Sequence, residues 1–218
     1  MTNQGQKTES RVLIIGICGS LREGSYTRMA LRVALRGAEA VGAQTQLIDL
    51  RDYDLTFCDG EGDRSRYHAG LLELRKIVTQ ARGIILGTPE YHASFSGVLK
   101  NALDLMGFTE FEGKIIGLVG VSAMPTGARN ALRSLRSIGR ALHAWVIEEE
   151  ASISEAWKVF GEGGQLKDSL LENQLKEVGR QVAHFATLRT ADNPSEFLRL
   201  WERAPINPGG STTDVEKP

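Results

Sequence analysis

The most informative segment of the chain is residues 16–25, which read Gly16-Ile17-Cys18-Gly19-Ser20-Leu21-Arg22-Glu23-Gly24-Ser25. They follow a short apolar run, residues 12–15, and precede an amphipathic helical pattern. A buried strand that enters a glycine-punctuated, hydroxyl-rich loop and then a helix can hold a phosphate group, because the loop amides and the positive end of the helix dipole point at the same place. The side chains of Ser20, Arg22 and Ser25 add donors. The alternative is a helix cap with incidental serines.

Two common nucleotide-binding motifs do not occur here. The chain has no Gly-Lys-Ser/Thr sequence, and the spacing of Gly16, Gly19 and Gly24 differs from that of the dinucleotide-binding glycines. These differences argue against a nucleoside triphosphatase and against a Rossmann-type NAD-binding domain.

The apolar pattern alternates between short β-rich runs and longer helical ones. It predicts strands over residues 11–17, 44–50, 83–87, 114–121 and 144–147, and helices over residues 25–41, 65–81, 96–107, 127–142 and 166–190. Strands of nearly continuous apolarity separated by helices indicate a parallel sheet covered on both faces. Right-handed crossovers then favour an α/β fold with a doubly wound, five-stranded sheet in the order 2-1-3-4-5, whose ligands bind beyond the carboxyl ends of the strands.

Length and composition are those of a single globular domain. The chain has 218 residues, of which 41% are apolar and 24% charged, and its formal net charge is −1. We predict one domain over residues 11–203, a flexible N-terminus over residues 1–10 and a disordered tail over residues 204–218. Because there is no basic surplus, we expect neither nucleic acid nor an anionic membrane as a partner.

The chain carries no sign of secretion or membrane insertion. Its first ten residues lack the apolar core of a secretory signal, and no run of about 18 apolar residues could span a bilayer. The two cysteines, Cys18 and Cys58, have no metal-ligand spacing and are interpreted as packing residues in a reducing compartment. We therefore expect a cytoplasmic protein without a metal site.

Two further loops should lie at the same edge of the sheet. The loop after the third strand contains a proline that fixes the exit from the strand and aromatic side chains that can border a planar ligand. The loop after the fourth strand, residues 121–127, is small and would form the opposite wall. Each loop alone is compatible with an ordinary connector. Together, a phosphate-binding loop, a rigid aromatic turn and a small-residue wall describe a site for a phosphorylated flat ring, and flavin mononucleotide (FMN) fits.

Three motifs occur in order along the chain. They are Gly19-Ser20-Leu21-Arg22 with Ser25, then Pro89-Glu90-Tyr91-His92, then Gly97-Val98-Leu99-Lys100-Asn101-Ala102-Leu103-Asp104. Their conjunction resembles the NADPH-dependent FMN reductases of the flavodoxin-like fold, a family that also contains quinone and chromate reductases. The resemblance covers roughly residues 11–147.

The resemblance implies a set of FMN-binding residues. Ser20, Arg22 and Ser25 would contact the phosphate, together with backbone groups of Leu21 and Tyr26. Pro89, Glu90, Tyr91 and His92 would line the isoalloxazine ring, largely through main-chain atoms, and the segment that includes Ser122, Thr126 and Gly127 would close the site beside the ring. The family commonly has asparagine where this chain has His92. Members are often homodimers or homotetramers, with the helix that begins near Ser96 at the interface.

The implied activity is that of an FMN-dependent NAD(P)H oxidoreductase. It would pass a hydride from NADPH, the co-substrate, to bound FMN and then reduce a small-molecule acceptor such as a quinone, a free flavin, an azo compound or a metal oxyanion. Arg22 and Arg129 are candidate partners of the NADPH 2′-phosphate by charge alone. A flavodoxin-type electron carrier without pyridine-nucleotide activity is the alternative, although such carriers usually have an acidic docking face. A third interpretation is an interaction module that has the fold without catalysis.

Overall fold

The computed structural model describes residues 11–60 and 68–190. Within them, five parallel strands form one sheet in the order β2-β1-β3-β4-β5, which confirms the predicted topology. The strands are β1 (Leu13–Cys18), β2 (Gln44–Asp49), β3 (Gly83–Pro89), β4 (Ile115–Val121) and β5 (Trp145–Ile153). The helices are α1 (Tyr26–Glu39), α2 (Ala69–Gln80), α3 (Gly97–Asp104), α4 (Phe108–Phe111), α5 (Arg129–Ala141), α6 (Ala156–Val159) and α7 (Ser169–Thr190). The predicted flexible N-terminus and tail, residues 1–10 and 204–218, lie outside the described residues.

The sheet is buried on both faces because helices cover each side. Every residue of β3 and β4 is buried. Helices α1 and α7 cover one face, where Leu31 and Val182 belong to one apolar cluster. Helices α2, α3 and α5 cover the other face, where Leu74, Leu99 and Leu132 belong to a second cluster. The continuous apolarity of the central strands is therefore a consequence of two-sided burial.

The longest helix, α7, has 22 residues and packs on the sheet with one side only. Its buried side includes Leu175, Val178 and Val182, whereas Glu172, Lys176 and Arg180 reach solvent. Neither α7 nor any other helix in the described ranges is long and apolar enough to cross a membrane.

Strand β5 extends further than the predicted strand, which ended at residue 147. The apolar pattern stopped there because three glutamates, residues 148–150, interrupt it. In the described sheet β5 is an edge strand, where polar side chains can face solvent, and it continues to Ile153. Its pairing with β4 shifts register between Ile116 and Leu118.

Arg136 of α5 stabilises the shifted segment of β5. Its guanidinium donates to the carbonyl oxygens of Ile147 and Glu148 at 2.7 and 3.2 Å, and it lies 2.7 Å from the carboxylate of Glu150. A register shift leaves backbone acceptors without ladder partners, and arginine supplies several donors in a fixed fork. The charge of Arg136 is therefore balanced, and its role is structural.

Two short α-helices and a 3-10 turn over Leu50–Asp52 were not predicted, and Leu50 belongs to this turn rather than to the strand predicted over residues 44–50. Helices α4 and α6 are single turns, too short to show a periodic pattern. The helix predicted over residues 96–107 ends at Asp104, and Gly107 is the N-cap residue of α4. Helix α2 begins at Ala69, and residues 65–67 of the predicted helix lie outside the described residues.

Gly19 holds the end of β1 against the start of α3 at close range. Its N–H donates to the Gly87 oxygen at 2.8 Å, and its carbonyl accepts from the Ser96 hydroxyl at 2.6 Å. A Cβ atom at this position would lie 2.8 Å from Leu99 Cβ and 3.0 Å from both the Gly87 oxygen and Ser96 Oγ. The position has no space for a side chain.

We predict that Gly19→Ala lowers the free energy of unfolding by about 1–3 kcal/mol, because the added methyl group overpacks this contact. Gly24→Ala, in the same loop, is the matched control, since a Cβ there has no neighbour within 4 Å. A change at such an open position stays within about 0.5 kcal/mol. Urea unfolding of the three proteins measures both effects, and equal stability of Gly19→Ala and the wild type would contradict the close packing.

Candidate functional site

The loops that follow β1, β3 and β4 meet at the carboxyl edge of the sheet. Cys18, the last residue of β1, pairs with Gly87 of β3, and Pro89 at the end of β3 pairs with Val121 at the end of β4. The Glu90 N–H then donates to the Val121 oxygen at 2.8 Å. The structure therefore brings together the three loops that the sequence singled out.

The loop after β1 presents a run of unused backbone donors. Within the described part of the chain, the N–H groups of residues 20–27 have no hydrogen-bond acceptor. Ser20 is only 3% exposed, and its hydroxyl has no partner among the same residues. Ser25 caps α1 by accepting from the Arg28 N–H at 3.2 Å, so the capping interpretation holds for this serine. The cap leaves the amides of the first helical turn free, which is the arrangement that binds phosphate.

Arg28 orients this loop, a role that the sequence analysis missed. Its guanidinium donates to the Glu23 oxygen at 2.6 Å and to the Arg22 oxygen at 3.0 Å, and Asp49 holds it by an ion pair of 2.7 Å. Because N–H and C=O point in opposite directions across a trans peptide, drawing these two carbonyls toward Arg28 turns the amides of Glu23 and Gly24 the other way. The guanidinium of Arg22 is exposed and has no acidic partner among the described residues.

Cys18 lies beneath the loop as a packing residue. Its thiol donates to the Ser20 carbonyl oxygen over 3.7 Å and lies 3.9 Å from the Ser25 hydroxyl. Burial raises the pKa of the Cys18 thiol above its usual range. The side chain therefore stays a neutral thiol and supports the loop from below.

The loop after β3 closes into a tight turn. Tyr91 and Ser94 exchange backbone hydrogen bonds of 2.8 and 2.9 Å across His92 and Ala93. Both central residues are left-handed, with φ of 50° and 60°. Asparagine and histidine tolerate this conformation better than most residues, so His92 is compatible with this turn. Tyr91 is 45% exposed, and the N–H of His92 has no acceptor among the described residues.

Glu90 faces a helix with its side chain. Its carboxylate accepts from the Ala131 N–H at 3.0 Å and so caps the first turn of α5. Its backbone N–H is already bonded to β4. The N-cap residue of helix α5 is Ala128, which has no capping side chain, and a carboxylate supplied by the neighbouring loop offsets the positive end of the helix. No local sequence signal marks this contact, because the two residues are 41 positions apart.

The loop after β4 is tied to β5. Ser122 is buried and accepts from the Met124 N–H at 3.0 Å, and Ser152 accepts from the Ala128 N–H at 2.8 Å. Gly127 has φ of 71°, and a Cβ there would lie 2.5 Å from Ser152 Oγ, so glycine is required. Thr126 is exposed. The shape of the loop is therefore set by its hydrogen bonds to the edge strand.

Comparison with known proteins identifies related flavoenzymes. A family model described as NADPH-dependent FMN reductase matches residues 12–158. An NADPH azoreductase of Bacillus sp. (strain OY1-2) is 32% identical over 165 residues, which cover 76% of this chain and 89% of that protein. The NADPH-dependent FMN reductase ArsH of Shigella flexneri is 28% identical over 182 residues, 81% of this chain and 69% of that protein. A solved NADH:FMN oxidoreductase superimposes with a TM-score of 0.65 at 24% identity, covering 84% of this chain and 92% of that one, which shows a shared fold.

We predict that Glu90→Ala lowers the free energy of unfolding by about 1 kcal/mol, because the N-terminus of α5 loses its cap and a favourable charge. Glu90→Gln retains an acceptor of similar reach and should recover most of this loss. Chemical denaturation of the three proteins provides the comparison. A glutamine variant as unstable as the alanine variant would show that the hydrogen bond to Ala131 is not what stabilises this position.

Proposed function

The chain belongs to the NADPH-dependent FMN reductase family, and we propose that it carries reducing equivalents from NADPH to a small planar acceptor such as a quinone or an azo compound. It is an oxidoreductase and a flavoprotein, with FMN as cofactor and NADPH as co-substrate. The observation that carries the proposal is the run of unpaired amides over residues 20–27, placed where the loops after β3 and β4 converge. A free flavin and a metal oxyanion remain further acceptors to screen.

The loop after β1 would hold the phosphate of FMN. The free amides of residues 20–27, which include those of Leu21 and Tyr26, supply neutral donors, and the unpartnered Ser20 hydroxyl adds another. Arg22 adds a positive charge that no described acid neutralises. The Ser25 side chain already serves the helix, so its contribution to the phosphate would come mainly from its N–H. Neutral dipoles, one cation and a helix N-terminus suit a phosphate dianion.

The turn after β3 would border the isoalloxazine ring. Pro89 is buried and fixes the direction in which the chain leaves the strand. Tyr91 offers an exposed aromatic face, and the free N–H of His92 can donate to the polar edge of the ring. The loop with Ser122, Thr126 and Gly127 would close the opposite side.

The protein's own contribution is binding and orientation. Bound FMN supplies the redox chemistry, because it can accept a hydride from NADPH and pass the electrons to the acceptor. The loops after β3 and β4 would border the ring and leave one face accessible, so NADPH and acceptor would occupy the same place in turn. The rigid hydrogen-bonded turn at Tyr91 and Ser94 limits reorganisation between the two half-reactions.

We also propose a homodimer or homotetramer with α3 at the interface. Phe57 is 88% exposed and Leu21 54% exposed. Both line a cleft of about 660 Å³ that Val98 of α3 borders as well. Lys100 and Asp104 form an ion pair of 2.7 Å within α3 itself. The exposed apolar side chains, rather than this ion pair, therefore support the interface.

We predict that Arg22→Ala weakens FMN binding about tenfold, the expected cost of losing one charge-assisted hydrogen bond. Riboflavin lacks the phosphate, so its affinity should be the same for variant and wild type. Arg32→Ala, an exposed arginine on the outer side of α1, is the control and should change neither affinity. Quenching of flavin fluorescence on binding measures all six constants, and an equal loss for FMN and riboflavin would place Arg22 away from the phosphate.

We predict that NADPH rapidly bleaches the flavin absorbance of the FMN-loaded protein under anaerobic conditions, and that a quinone or an azo dye restores it. Because both substrates would use one face in turn, double-reciprocal plots of initial rate against NADPH concentration should be parallel at several acceptor concentrations. Stopped-flow absorbance and steady-state rates provide the two measurements.

A flavin that dithionite reduces but NADPH does not would overturn the proposal and favour the electron carrier. Failure to retain FMN at micromolar concentration would favour an interaction module instead. The family match does not favour either alternative.

A further inference from the structure

A cleft of about 620 Å³ lies beside the loop after β4, and we propose that Arg129 and Arg133 in this cleft bind the 2′-phosphate of NADPH. The proposal rests on the proposed function, because it assigns a further part of the same co-substrate. Thr126 and Gly127, which would close the flavin site, also line the cleft. A dinucleotide with its nicotinamide on the flavin can therefore cross this loop and place its adenosine half in the cleft.

The cleft carries two positive charges that are not balanced. Arg129, Arg133 and Arg136 are spaced four and three residues apart on α5, so they share one face of the helix. Arg136 is paired with Glu150, the acid that lines the cleft, and with two backbone carbonyls. Gln174, a further lining residue, donates to the Glu150 carbonyl at 3.0 Å. Arg129 and Arg133 are exposed and have no acid within 4.0 Å in residues 11–60 and 68–190.

Two amides at the N-terminus of α5 are already hydrogen-bonded and are not available to an anion in the cleft. The carboxylate of Glu90 already accepts from the Ala131 N–H, and Ser152 accepts from the Ala128 N–H. An anion in the cleft would therefore be held by the two guanidinium groups rather than by helix amides. Because like charges four residues apart on a helix repel each other, an anion between them also relieves that repulsion.

The chemistry of the cleft fits a phosphate monoester on a nucleotide. Guanidinium groups bind phosphate in a two-pronged geometry, and an arginine is the usual way in which a protein accommodates the 2′-phosphate that distinguishes NADPH from NADH. The volume lies within the usual range for small-molecule sites. Arg22, by contrast, belongs to the loop after β1, where it would serve the phosphate of FMN. The sequence suggested both Arg22 and Arg129 for the 2′-phosphate. We now assign Arg22 to FMN and Arg129 to NADPH.

The test compares two fragments of the co-substrate on the FMN-loaded protein. Isothermal calorimetry measures the affinity for adenosine 2′,5′-bisphosphate and for adenosine 5′-monophosphate, which lacks the 2′-phosphate. The variants are Arg129→Gln, Arg133→Gln and their combination, which remove charge at exposed positions. Arg140→Gln is the matched control, because Arg140 is exposed on the same helix one turn beyond Arg136 and does not line the cleft.

We expect the wild type and Arg140→Gln to bind the bisphosphate at least about tenfold more tightly than the monophosphate, as one charge-assisted contact would give. The double variant should lose this preference, and each single variant should lose part of it. The ratio of kcat/KM for NADPH to that for NADH should fall in parallel. Equal binding of both fragments by the wild type, or an unchanged preference in the double variant, would overturn the assignment. Absence of NADPH and NADH oxidation in every protein would overturn the proposed function, whereas the fragment affinities would still decide the role of the arginines.

Discussion

The geometry of the site depends on the contact between Gly19 and the start of α3. The Gly19 N–H is bonded to the Gly87 oxygen and its carbonyl to the Ser96 hydroxyl, so one residue ties β1 to both β3 and α3. Ser96 also accepts from the Leu99 N–H and thereby caps α3. The loop that we propose to hold the phosphate begins at the next residue. Its position relative to the turn after β3 is therefore set by packed, hydrogen-bonded groups of the core rather than by loop contacts alone.

Some polar groups of the loops after β1 and β3 stabilise the fold, and others have no partner within it. Ser25, Ser96 and Glu90 each cap a helix, and the carbonyls of the first loop are held by Arg28. The amides of residues 20–27 are left over. A buried or half-buried amide without an acceptor is costly, so a long run of them is tolerated where a ligand or solvent can bind them. The phosphate site proposed for this loop thus follows from the backbone donors that the fold does not use.

The sequence predicted the topology because continuous apolarity in the central strands has one simple cause, burial on both faces. It also placed the loops after β1, β3 and β4 at one edge, since parallel strands bring their carboxyl ends together. The end of β5 could not be predicted from the pattern, because residues 148–150 are polar on an edge strand and their register shift is stabilised by Arg136 from another element. The capping role of Glu90 could not be predicted either, because its partner Ala131 is distant in sequence.

The arginines of α5 show why charge in a sequence does not by itself indicate a binding site. Helix α5 carries four arginines, and the sequence alone does not distinguish their roles. They are Arg129, Arg133, Arg136 and Arg140. In the structure the guanidinium of Arg136 donates to backbone carbonyls and to the Glu150 carboxylate of β5, and Arg140 lies outside the cleft. Arg129 and Arg133, by contrast, line an open cleft and have no acid paired with them in the described part of the chain. A site is defined by the charges that the fold leaves unpaired, and those become visible only when the partners of every neighbouring group are known.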